Sequence, residues 1–232
     1  MSPYSYTADN PVMLVDPNGM FFKRKNQRKA SRYLRRIERK LDRIYKRMNR
    51  SKNNKQIEKL KNRAKELGKS MDDIIDMNND EMVEYRFSHS ETSGSSLTKE
   101  NGKWIYTISA NGMANKIHEI KHGGQVARKE LNPKTGWRYG VNDEVEAYKA
   151  QWAWKGEITD LFAPNLEYIN ALKDTKKIDN MKIILMNRGK IKTIKNINEI
   201  NPDLINLMLD NWDKKRYPPE GYSKSIEYWN QN

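Results

Sequence analysis

The 232-residue sequence predicts an α+β fold, in which a basic helical hairpin precedes a small sheet and further helices. Between residues 34 and 74, apolar side chains recur three and four positions apart, as in helices that pack along a narrow seam. From residue 82 the apolar positions alternate instead, which is typical of half-buried strands. We expect four segments: residues 1–20, a basic helical hairpin over 21–80, a core of strands and helices over 81–160, and a C-terminal α/β extension over 161–232.

The helical hairpin is predicted from two apolar runs separated by the polar stretch 49–54. The runs are Leu34, Ile37, Leu41, Ile44 and Met48, then Ile57, Leu60, Ala64, Leu67, Met71 and Ile74. Residues 21–70 hold 21 Lys/Arg and four Asp/Glu, so this segment is strongly basic while the rest of the chain is slightly acidic. Its outer surface either attaches to nucleic acid, lipid headgroups or an acidic partner, or is simply solvated.

Composition excludes several classes of site. The chain has no cysteine, which excludes disulfides, thiolate zinc sites and cysteine nucleophiles. No run approaches the ~20 apolar residues of a membrane-spanning helix, so we expect no transmembrane segment. The N-terminus has neither a basic nor an apolar leader region, so we expect no signal peptide.

Two strands and two helices are predicted in the core. Residues 82–87 and 103–108 alternate as strands; a loop rich in Ser, Thr and Gly and a turn at 100–102 separate them. The second strand leads into a helix carrying His118, and its sheet edge is placed to pair with an extended substrate. A further helix is expected from an N-cap at Asn142 to Trp152 or Trp154.

Weaker patterns continue to the C-terminus. We expect strands over 182–186 and 190–194, joined by a turn, and a last helix over about 201–215.

His118, Glu119 and His122 form an H-E-x-x-H motif. Side chains four apart share one helix face, so both imidazoles can bind one ion, and Glu119 lies close enough to accept a proton from zinc-bound water. The motif predicts a Zn²⁺ site with peptidase chemistry. The alternative is two unrelated surface histidines. Gly123 and Gly124 follow, either ending the helix or letting another backbone approach closely.

Catalytic zinc usually has three protein ligands, and here the third must be a carboxylate. Glu144 is our choice, because E-x-x-A places the small Ala147 one turn later, where it allows close helix packing. Glu146 and Asp143 remain alternatives, as does an ordinary acidic helix N-terminus.

Other polar residues are candidates for supporting roles. Tyr148, one turn beyond Glu144, is placed to orient a ligand histidine. Tyr139, Tyr106 or His89 is placed to stabilise a tetrahedral oxyanion.

The first twenty residues resemble the end of an Rhs repeat-associated core. That family closes with Y-x-Y-x-x-N-N-P and then D-P-x-G-L or D-P-x-G-M. Residues 4–12 follow the first part except that Asp9 replaces the first Asn, and Asp16, Pro17, Gly19 and Met20 match the second. In that family the pattern marks the junction between a β-cage shell and a toxin tip, and the shell protein cleaves itself just after it. The resemblance implies a cut after Met20.

It further implies that residues 21–232 are a toxin delivered as a secreted effector into a target cell and neutralised by a cognate immunity protein. The H-E-x-x-H region, with the E-x-E-A-Y helix, is similar to the metallopeptidase toxin domains attached to such cores. That likeness implies a zincin-like core, with His118, His122 and Glu144 as ligands and Glu119 as base. Gluzincin-type peptidases often carry Asp or Asn after E-x-x-A, where this chain has Tyr148.

We therefore expect a zinc metallopeptidase toxin that cleaves a protein or peptide substrate. The alternative is a nucleic-acid-directed or membrane-acting Rhs toxin that uses the basic segment 23–65, with the H-E-x-x-H incidental. Nucleic acid is a possible but less favoured partner, because there is no H-N-H-like constellation and the surroundings of the histidine pair are not basic.

Overall fold

The computed structural model describes residues 24–90, 93–130, 141–158, 194–202 and 204–205. The α+β class is confirmed in this part of the chain. The elements are α1 (Arg24–Arg50), α2 (Asn54–Asn79), β1 (Val83–Ser88), β2 (Gly94–Glu100), β3 (Lys103–Ser109), α3 (Gly112–Ala127) and α4 (Val141–Lys155). A 3-10 turn spans Ile197–Glu199. None of the described helices combines the length and apolar composition needed to cross a bilayer.

Several predictions fall outside the described residues. These are the junction at Asp16, Pro17, Gly19 and Met20, the side chain of Tyr139, the strand over 182–186, and most of 190–194 and 201–215.

The predicted helical hairpin is confirmed. Leu34, Ile37, Leu41 and Ile44 of α1 are buried, as are Leu60, Ala64, Leu67 and Ile74 of α2. The connection, residues 51–53, is shorter than predicted because α1 continues to Arg50. The Asn53 side chain accepts the Gln56 backbone N–H at 3.1 Å and so caps the start of α2.

The sheet has three strands in the order β1-β3-β2, with β1 parallel and β2 antiparallel to β3. The loop expected between residue 87 and the turn at 100–102 is therefore wrong over Gly94–Glu100, which form strand β2. The turn itself joins β2 to β3 through Asn101 and Gly102, both with positive φ. The polar composition of β2 suits an edge strand in which only Leu97 is buried. Pairing with β3 thus overrides weak local strand propensity.

The two edges of the sheet differ. On β1, Phe87 donates its N–H to the Asn26 side chain at 3.2 Å and accepts a hydrogen bond from Lys29 at its carbonyl, so α1 covers this edge. β3 is the central strand, and the prediction that it forms an edge is wrong. In the described part of the chain, β2 is the sheet's other edge.

α3 is the central helix, buried on nearly all sides. It continues past Gly123 and Gly124 to Ala127, so the two glycines do not end it. They permit close approach of α2. A Cβ on Gly124 would lie 2.3 Å from Oδ1 of Asp73, and one on Gly123 would lie 2.4 Å from Sδ of Met77.

Polar contacts fix α2 against α3 and α4. Asp73, buried in α2, pairs with Lys121 at 2.8 Å and with Arg128 at 2.9 Å. Arg63 donates from Nε to the carbonyl of Ala153 at 2.9 Å and from NH2 to that of Trp154 at 3.0 Å. A cation at these last carbonyls of α4 also complements its dipole.

α4 begins at Val141, so the predicted N-cap at Asn142 is wrong: Asn142 is the second residue of the helix and lies within its first turn. Asp143 and Glu144 in this turn complement the helix dipole. The helix runs to Lys155, just past the predicted end.

Gly124→Ala tests the close approach of α2 to α3. The added Cβ meets the side chain of Asp73, which its ion pairs hold in place, so we expect a loss of about 1–3 kcal/mol in the free energy of unfolding. Denaturant unfolding followed by circular dichroism measures it.

Gly68→Ala is the matched control. Gly68 lies inside α2 with no atom within 4 Å of an added Cβ, and we expect it to gain about 0.5–1 kcal/mol. Equal effects of the two substitutions would contradict the proposed contact.

Candidate metal centre

The site is built from facing surfaces of α3 and α4. His118 and His122 lie one turn apart on α3, and their rings are 4.9 Å apart, edge to face. Glu144 reaches both from the first turn of α4, and Ala147, one turn later, is fully buried. One ligand atom from each of the three lies within 4.8 Å of the others, an arrangement that could hold a metal ion.

The spacing of the donor atoms fits a shared cation better than a hydrogen bond. Nε2 of His118 is 3.6 Å from Oε2 of Glu144, and Nε2 of His122 is 3.5 Å from Oε1. Hydrogen bonds between such groups are shorter, about 2.7–3.2 Å. Two ligands at about 2.1 Å from a tetrahedral zinc are separated by about 3.4 Å. Two imidazoles and one carboxylate are also a donor set that catalytic zinc uses.

The buried charges are tightly coupled. Burial lowers the pKa of His118, and the neighbouring His122 lowers it further. Burial opposes charge on His122 as well, yet the Glu144 carboxylate raises its pKa to about 9. Burial likewise opposes ionisation of Glu144, but His122 keeps the pKa of that carboxyl below its usual value. The site thus holds positive charge beside a buried carboxylate, an arrangement that a bound cation also satisfies.

Gln125 orients His122. Nδ1 of the imidazole is 2.8 Å from Oε1 of Gln125, and Nε2 of Gln125 donates to the carbonyl of Asp143 at 3.3 Å. With the proton on Nδ1, the imidazole donates to Gln125 and turns its Nε2 toward Glu144. The sequence analysis missed this residue, although its position three residues after His122 on one helix is a signal that could have found it.

Glu119 lies close to both histidines, and its negative charge raises the pKa of each. The residue is buried, at 6% exposure. Within the described residues, no hydrogen bond or ion pair fixes its carboxylate. That leaves its oxygens able to accept a proton from a group bound next to the histidines.

The other predicted residues are placed as follows. The Tyr148 ring packs edge-on against His118, with centroids 4.7 Å apart, where it limits rotation of the imidazole.

Glu146 is exposed, and the backbone carbonyl of Asp143 accepts a hydrogen bond from Gln125. Neither carboxylate joins the cluster among the described residues. Tyr106 is fully buried and donates its hydroxyl to Ser95 at 2.7 Å, and His89 is exposed.

No family model, curated protein or solved structure matches this chain. The case for the site therefore rests on its own geometry and chemistry.

Gln125→Leu tests the orienting role of Gln125. Loss of the acceptor for Nδ1 of His122 should weaken zinc binding about 10–100-fold, measured by competition with a chromophoric chelator. Gln125→Glu keeps an acceptor oxygen and should lose less. Wild-type affinity in the Leu variant would rule the role out.

Proposed function

We propose that this chain is a zinc-dependent metallopeptidase in which His118, His122 and Glu144 hold the ion and Glu119 is the general base. One observation carries the proposal: donor atoms from a motif on α3 and from a carboxylate on α4 converge within 4.8 Å. The two histidine-to-glutamate separations, 3.6 Å from His118 to Oε2 and 3.5 Å from His122 to Oε1, are close to the roughly 3.4 Å between two ligands of one tetrahedral zinc.

The roles of the chain's own groups follow from their positions. Bound zinc supplies a Lewis acid that polarises a carbonyl and lowers the pKa of water. Glu119 accepts a proton next to the histidines and later returns it to the leaving amine. Gln125 fixes the tautomer of His122, and Tyr148 limits the ring of His118. We propose no oxyanion-stabilising residue among Tyr106 and His89, since Tyr106 donates its hydroxyl to Ser95 and His89 is exposed.

A protein or peptide is the substrate that this chemistry fits. An extended peptide can add to an exposed sheet edge through main-chain hydrogen bonds. The β1 edge is covered by Asn26 and Lys29 of α1, so the β2 edge is the one we propose for this role.

We further propose that the peptidase is the toxin tip of an Rhs-type protein. This part rests on the resemblance of residues 4–20 alone. It implies release from an N-terminal shell after Met20, delivery into a target cell, and neutralisation in the producer by a cognate immunity protein.

Metal content tests the proposed ligands. Purified full-length chain should carry about one zinc per molecule, and His118→Ala and Glu144→Ala should each lose it. Glu146→Ala is the matched control, because that carboxylate is exposed two residues away, and it should keep zinc. A folded wild-type protein without zinc, or equal losses in the two glutamate variants, would remove the ligand assignment.

Glu119→Gln tests the proposed base. The variant should retain zinc and its circular dichroism spectrum while peptide hydrolysis falls about 10²–10⁴-fold. New N-termini released from a mixed protein digest provide the measurement, with growth inhibition on expression in a bacterial host as a second readout.

A Glu119→Gln variant as toxic as the wild type would contradict peptidase action. It would favour the alternative of a nucleic-acid-directed or membrane-acting toxin that uses segment 23–65.

A further inference from the structure

The exposed side of α1 carries a dense set of cations. Its ten exposed basic residues are Lys25, Arg28, Arg32, Arg35, Arg36, Arg39, Arg43, Lys46, Arg47 and Arg50. The same helix has only two acidic residues, Glu38 and Asp42. Within the described part of the chain, none of the ten forms a hydrogen bond or ion pair. Their charge is therefore not neutralised by the fold.

Seven of these side chains form one continuous line. Arg28, Arg32, Arg35, Arg39, Arg43, Lys46 and Arg50 follow each other at steps of three or four residues. At 1.5 Å per residue, this arginine stripe is about 33 Å long, with roughly one cation per helical turn. Duplex nucleic acid presents about one negative charge per 1.7 Å of its axis, so a stripe of this length faces many phosphates.

Like charges crowd the helix. Burial lowers the pKa of Lys40, and Arg63, Arg43 and Arg47 lower it further. Self-repulsion of this kind costs stability in the free protein, and an external polyanion would relieve it.

The packing of α1 argues against insertion into a lipid surface. An interfacial helix needs an exposed apolar face, but Ala30, Leu34, Ile37, Leu41 and Ile44 of α1 are buried in the protein core. Only the polar side remains available.

The composition of the stripe favours phosphate as the ligand. Eight of the ten exposed cations are arginine, whose planar guanidinium binds phosphate oxygens through two parallel hydrogen bonds. Proteins that hold single strands add exposed aromatic side chains for base stacking. Among the described residues the exposed large hydrophobic is Met82, and it is not aromatic.

We propose that the arginine stripe on α1 is a binding surface for the phosphate backbone of double-stranded nucleic acid, independent of base sequence. The surface is separate from the metal centre, which lies between α3 and α4. If the proposed peptidase function also holds, the stripe brings that site to proteins bound on nucleic acid; this consequence rests on the proposed function.

Salt-dependent binding tests the proposal. The full chain is titrated onto a fluorescein-labelled DNA duplex of about 20 base pairs, in roughly 50–200 mM NaCl, and anisotropy is recorded. If all seven stripe residues contact phosphates, the slope of log K against log [NaCl] should be about −6. Arg32→Gln/Arg35→Gln/Arg39→Gln should reduce its magnitude by about 3 and weaken binding at the lower salt concentration at least tenfold.

A matched variant separates the stripe from net charge. Lys103→Gln/Lys155→Gln/Lys195→Gln removes the same charge from three exposed lysines outside α1 and should bind almost as the wild type does. His118→Ala should also bind DNA normally, so a failure of the metal site leaves this result intact. Circular dichroism confirms folding of each variant.

Three results would overturn the proposal. One is a folded wild type that does not bind duplex DNA in about 50 mM salt. Another is equal weakening by the two triple variants, which would assign binding to net charge. The third is stripe-dependent binding that is tighter to phosphatidylserine vesicles or to polyglutamate than to DNA at equal charge, which would assign the stripe to lipid headgroups or to an acidic protein.

Discussion

At Gly123 and Gly124, α2 and α3 approach so closely that an added Cβ would overlap Met77 or the carboxylate of Asp73. The other features of the core depend on this contact. It places Asp73 beside Lys121 and Arg128, and it leaves the opposite side of α3 to face α4. His118 and His122 lie on that opposite side. The two small residues that follow the second histidine therefore serve packing on one side of the helix, while the histidines before them face Glu144 on the other.

Much of the fold could be predicted because local pattern and tertiary packing agree there. The three-and-four spacing of Leu34 through Ile74 specifies two helices and also the side each buries. Strand β2, by contrast, was predicted as a loop. Its first three residues, Gly94, Ser95 and Ser96, have weak strand propensity, so they form a strand because they pair with β3. A local sequence pattern does not show which strand will pair with which. For the same reason β3 was predicted to be an edge strand: its central position depends on pairing with β1 on one side and β2 on the other.

The convergence of His118, His122 and Glu144 was predicted more completely than the residues around them. A motif on one helix fixes His118 and His122, and the small Ala147 singled out Glu144 over Glu146 by helical geometry alone. Gln125 was not predicted, because glutamine occurs in many positions without a specific role. Its contact with His122 depends on the orientation of the imidazole ring, which the sequence does not specify. Arg63 was missed for a related reason: it contacts main-chain carbonyls of Ala153 and Trp154, and carbonyls carry no sequence signature.

Arg63 also has a consequence for how the protein can be divided. The basic hairpin contacts both helices that carry the candidate metal centre: α3 through the glycines and Asp73, and α4 through the guanidinium at its last turn. A fragment that starts at β1 would expose the glycine face of α3 to water, strip Lys121 of its counter-charge, and leave the end of α4 uncapped. The smallest expression fragment that retains the site thus begins at α1, and the same boundary applies to any chimera that moves the site onto another carrier.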